Sequence, residues 1–79
     1  MAYTAVENYD YASIPEGPVT VHIVPAADLH AHLVPVKVSC THYRFHGKTQ
    51  ARFQIMRADG LYYLDLADYV ILGWSPIDD

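Results

Sequence analysis

The residues able to do chemistry in this chain of 79 residues are five histidines, one cysteine and nine acids. His30 and His32 stand two apart, so on a strand both rings would point to one face, as a pair of metal ligands does. Cys40, His42 and His46 follow. Zinc needs three or four converging N, S or O ligands. The spacings that usually provide them, Cys-x-x-Cys or a helical His-x-x-x-His, do not occur here. The histidines therefore read as ordinary strand residues, and no metal or other cofactor is expected. A Cys40–His42 nucleophile and base would lack a third, orienting group. Cys40 falls instead at an inward position of an alternating stretch, where a thiol acts as a small apolar filler. Nothing sets the carboxylates of Asp65 and Asp68 across a cleft. A chain this short also leaves little room for a ligand pocket of several hundred Å³. No catalytic residue is identified, and the chain reads as a non-enzyme.

Two other constellations are suited to binding. The lead-in Glu7-Asn-Tyr9-Asp10-Tyr11 alternates acid and aromatic. Its acids would steer it toward a basic groove, and Tyr9 and Tyr11 would provide contact area. The second set is Tyr43, Arg44, Phe45, Lys48 and Arg52, in which rings for base stacking stand among cations for phosphates. Overall charge opposes the second set. The chain is net −4, whereas proteins that bind polyanions usually carry a basic stripe.

Strands must position these residues. Val19–Val24 alternates, with Val19, Val21 and Ile23 on one face. Leu29–Val34 alternates again, with Leu29, Ala31 and Leu33 inward and His30 and His32 outward. Pro35 cannot donate to a ladder and marks an edge, bulge or bend. Val36, Val38 and Cys40 then resume the inward pattern. Tyr43–His46 leads to a hairpin at Gly47-Lys48. Thr49–Arg57 follows, with Ala51, Phe53 and Ile55 on one face. Asp59-Gly60 offers the positive φ of a tight turn. Leu61–Leu66 pairs back, and Val70–Trp74 is the last strand. Before all of these, Tyr3–Ile14 has room for a turn of helix, with Thr4 as cap and Glu7 three residues on. Pro15, Gly17 and Pro18 end it.

This pattern predicts an all-β domain: a small five-stranded barrel of the Sm or SH3 type, or a curved antiparallel sheet. Residues 1–18 form the lead-in, 19–74 the barrel and 75–79 a tail, all in one domain. A domain of this size buries only about 60% of its unfolded surface, so each apolar strand residue matters. One cysteine rules out an intramolecular disulfide. Met1–Asp10 lacks the basic start and apolar run of a secretion signal, which points to the cytoplasm. All five bases (Lys37, Arg44, Lys48, Arg52 and Arg57) lie mid-chain, and all nine acids lie outside that block. If folding keeps them apart, the domain has an acidic face and a basic face.

The chain also resembles the Rof family, small acidic Sm-like proteins that bind the transcription termination factor Rho. The resemblance rests on Tyr3-x-x-Val6 followed by Tyr11, and on Asp59-Gly60, Leu64-x-Leu66 and Pro76. It departs from the family at Asn8, where a cysteine is usual, and at Ser13–Pro18, which replaces an acidic helix. The resemblance implies an inhibitor, active in antitermination, that blocks an RNA-binding site, with Glu7 and Asp10 standing in for the acids that touch Rho. The functional expectation is thus a small regulatory protein that docks on a basic surface of a nucleic-acid-handling protein. Direct binding of single-stranded RNA or DNA is the alternative. A homo-oligomer joined through the Tyr69–Trp74 strand is a third reading.

Overall fold

The structure, a computed structural model, describes residues 3–77. Antiparallel pairing carries almost all of it. The strands are β1 (Thr4–Ala5), β2 (Gly17–Pro25), β3 (Val34–Phe45), β4 (Lys48–Ile55), β5 (Tyr62–Tyr63) and β6 (Tyr69–Pro76). They form one sheet in the order β1-β6-β2-β3-β4-β5. β2 through β5 make a meander, and β6 returns beside β2. This is the order of a small barrel, but the sheet stays curved and open. The five expected strands become six because Thr4 and Ala5 pair with Trp74 and Gly73.

Alternation builds the core. Val19 opposes Val38, and Val38 opposes Ile55; Cys40 opposes Phe53. With Val21, Ile23, Ala51, Leu64 and Ile71 these residues close a cluster in which Phe53 is the largest fully buried side chain. Where β6 passes His22 and Ile23 the register slips, and Leu72 is the extra residue. That bulge keeps both Ile71 and Trp74 on the core side. One end of the core remains an apolar groove of about 340 Å³ between Ile23, Val36, Ile55, Leu64 and Tyr69.

Several expectations fail for local reasons. Leu29–Val34 is not a strand, and Leu29 and Leu33 are exposed. Asp28 turns this stretch into a loop: its carboxylate accepts from His30 N at 3.1 Å, and its carbonyl accepts from Ala31 N at 3.3 Å. Aspartate turn chemistry here overrides a weak apolar alternation. Thr4 caps no helix, being paired in β1; among its described residues the lead-in holds one 3-10 turn, Tyr11–Ser13. The hairpin turn is His46-Gly47, one residue earlier than expected, with φ of 49° and 76°. Asp59-Gly60 has no positive φ; the Arg57–Asp59 ion pair at 3.1 Å spans that turn instead. Of Leu61–Leu66 only Tyr62 and Tyr63 form a ladder, opposite Ile55 and Gln54, and Leu64 N adds one hydrogen bond to Phe53 O at 2.9 Å. β6 has β1 beside it only at Gly73 and Trp74, so among the described residues Tyr69–Leu72 has no strand on that side. Ser75 and Pro76 belong to β6 and not to a tail. Pro35 lies in β3 where the strand has no β4 partner, the position its missing N–H allows.

Among the described residues, no helix is long and apolar enough to cross a membrane.

Urea melts test this packing and turn geometry. Phe53→Ala should cost about 3–5 kcal/mol, a large share of a small domain's stability. His46→Asn, which suits two successive positive φ angles, should gain up to about 1 kcal/mol.

Candidate functional site

Residues that alternate away from the core on β3, β4 and β5 share the opposite face. They include Lys37, Thr41, Tyr43 and Phe45 on β3, Lys48, Gln50 and Arg52 on β4, and Tyr63 on β5. All eight are exposed, so this face has no element packed over it. Neither β3 nor β4 contains an acid. Arg52 organises the surface. Its guanidinium carbon lies 5.0 Å from the Tyr43 ring centre and 5.8 Å from that of Tyr63. Each such cation–π contact is worth about 0.5–1 kcal/mol at an exposed site. Together they hold a flat cation against two rings that are themselves exposed. Phe45 stands further along, 57% exposed, with its ring edge-on to His46.

Four of the five residues in the expected basic–aromatic set (Tyr43, Phe45, Lys48 and Arg52) therefore share one face. Arg44 does not. It lies one position out of phase, and its guanidinium donates back to Gly47 O at 2.9 Å. Tyr63 was missed because Leu61–Leu66 was read as an apolar strand. The Gln54↔Tyr63 register brings its ring beside Arg52.

The acid–aromatic set divides. Tyr11 is half-buried: its ring meets Phe53 edge-on at 6.2 Å, and its hydroxyl accepts from Ile71 N at 3.3 Å. It packs against the core and also lines the cleft beside Tyr9 and Asp10. Glu7, Tyr9 and Asp10 are exposed. Asn8 and Tyr9 both take positive φ, 54° and 57°, which is uncommon for residues with side chains. That bend carries Tyr9 and Asp10 to the edge of β4. There Tyr9, Asp10, Tyr43, Lys48 and Gln50 line a cleft of about 490 Å³. The chain thus has a pocket larger than its length led us to expect.

Ile14 anchors this arrangement. It is 0% exposed, and its carbonyl accepts from His42 Nε2 and, at 3.7 Å, from the Cys40 thiol. A carbonyl only accepts, so His42 carries its hydrogen on Nε2. Glu16 Oε2 accepts from His42 N at 2.9 Å. His30 and His32 lie in the exposed 26–33 loop and not on a strand, which removes the spacing that suggested a ligand pair. Among the described residues no three His, Cys, Asp or Glu side chains come together as a metal site would require.

Charges mix at the rims. Arg57 is paired with Asp59, and Asp65 borders the face near Arg52 and Tyr63. Asp65 is held by its own loop, accepting from Ala67 N at 2.9 Å. No family model, curated protein or solved structure matches the chain.

Burial pushes the Cys40 thiol up to about 11, with the Glu16 charge a smaller contributor, and burial also raises Tyr11. Both groups keep their protons in the fold at pH values where the unfolded chain has begun to lose them. The Cys40 contribution to stability is complete below about pH 9, the ordinary thiol value, and is lost as pH rises through about 11. A disulfide reagent at pH 8 should leave Cys40 untouched in the native protein and label it in urea. Fast native labelling would contradict its burial.

Proposed function

We propose that this domain is a binding module without chemistry of its own, and that its uncovered β3–β4–β5 face receives a single strand of RNA or DNA. One observation carries the reading: Lys37, Tyr43, Phe45, Lys48, Arg52 and Tyr63 project from one exposed sheet face on which no strand places a carboxylate. Rings on strands give every base a surface to stack on, and cations among them meet the phosphates between. The net charge of −4 acts at long range and is screened over roughly 8–10 Å at ordinary salt, so at contact the strand meets the local basic face.

Docking on a basic surface of a nucleic-acid-handling protein, the inhibitor-like role that the Rof resemblance implies, is the second reading. The observation favouring it is Tyr9, 64% exposed and held at positive φ between exposed Glu7 and Asp10. Tyr11 packs partly into the core and leaves Tyr9 as the one exposed ring of that set, which is why this reading ranks second.

Fluorescence anisotropy with a labelled oligouridine separates the two. Binding should weaken with salt, with a log–log slope near −2 if about three cations each neutralise one phosphate. Lys48→Glu with Arg52→Glu should reduce affinity at least about tenfold. Arg44→Glu should change it far less. No binding at low salt, together with capture of a basic partner that Glu7→Lys and Asp10→Lys abolish, would favour the second reading instead.

A further inference from the structure

We propose that the cleft between the lead-in and the β3–β4 hairpin is a subsite for one unstacked nucleobase, and that Asp10 makes it select guanine. The inference rests on the sheet-face reading above and names what the strand places beside that face.

The cleft is continuous with the face through Tyr43, which stacks on Arg52 and also lines the cleft, and through Lys48. At about 490 Å³ it falls within the roughly 300–1,000 Å³ typical of small-molecule clefts. Its position follows from the sheet. β5 pairs with β4 only at Gln54 and Ile55, so Lys48–Arg52 has no strand on its outer side among the described residues. The lead-in comes close to this open edge without adding a strand to it, and the space between is the cleft. Tyr9 and Tyr43 give it aromatic lining, and Lys48 adds a cation that can meet a phosphate.

Asp10 is the residue that a general polyanion surface does not explain. Asp10 lines the same cleft as Lys48, yet among the described residues its carboxylate pairs with no cation and caps no backbone N–H. Two successive positive-φ residues, Asn8 and Tyr9, set it there, a conformation uncommon for residues with side chains. Beside a nucleic acid, a free carboxylate repels phosphate unless base donors meet it.

An ionised carboxylate is acceptor-only, with two oxygens side by side. Guanine alone among the common bases offers two adjacent donors, N1–H and N2–H, on its Watson–Crick edge. Adenine and cytosine each present one donor group next to an acceptor nitrogen, and uracil places a single N–H between two carbonyls. Their acceptors would face the carboxylate's lone pairs. The same group therefore attracts guanine by two charge-assisted bonds and rejects the others by repulsion.

The test uses short RNA strands of alternating U and G, U and A, or U and C, with anisotropy as the readout. Wild-type protein should bind the U/G strand roughly tenfold more tightly than the other two. Asp10→Ala removes a side chain without hydrogen bonds, and its thermal melt should match wild type. It should bring the three strands within about twofold of one another, without weakening the U/A strand. Equal wild-type affinity for all three, or a guanine preference that survives Asp10→Ala, overturns the subsite and leaves the sheet-face reading intact. Failure to bind any of the three at low salt overturns both.

Discussion

The burial of Ile14 is the constraint on which the rest of the molecule depends. It brings the lead-in under the sheet, where its carbonyl is gripped from β3 by the His42 imidazole and the Cys40 thiol. Tyr11 reinforces the same anchor, packing on Phe53 and accepting from the β6 backbone. The lead-in can then cover one opening of an unclosed barrel while Asn8, Tyr9 and Asp10 hang beside the free edge of β4. Without that anchor the core would lose a wall and the cleft would lose one side. The core and the cleft thus share a few contacts in a domain with little stability to spare.

The charge distribution follows from where strands and loops fall. The two longest strands of the uncovered face are acid-free, and among the described residues the acids collect in the lead-in and the turns. A chain that is acidic overall therefore presents a locally basic, ring-rich surface. Net charge describes the far field, whereas a bound strand responds to the groups within a few ångströms. The open edge of β4 is itself guarded: Lys48 and Arg52 stand along it, and charged residues at an edge discourage pairing with another chain.

Much of this was legible in the chain itself. Val19, Val21, Ile23, Val38, Cys40 and Phe53 announce their inward positions by a period of two, and all are buried. The basic–aromatic set was legible for the same reason, since Tyr43 and Phe45 alternate in phase. Arg44 was misjudged because adjacency in sequence was taken for adjacency in space, although neighbours on a strand point to opposite faces. Leu29–Val34 shows the limit of alternation: three apolar residues at the right spacing, Leu29, Ala31 and Leu33, were overruled by one aspartate that bonds its own backbone. Tyr11 and Tyr9 are alike in sequence and differ in burial, Tyr11 packing on the core and Tyr9 standing exposed. The cleft could not be read at all, because it is a gap between segments about forty residues apart, bounded by the shortness of β5.

Backbone amide shifts during titration with a short single-stranded RNA test the central claim most directly. The account predicts that the largest changes fall on Thr41–Phe45, Lys48–Gln54 and Tyr63, while the 26–33 loop and β6 stay still. Changes confined to the loop and β6, or no changes at saturating RNA, would contradict it.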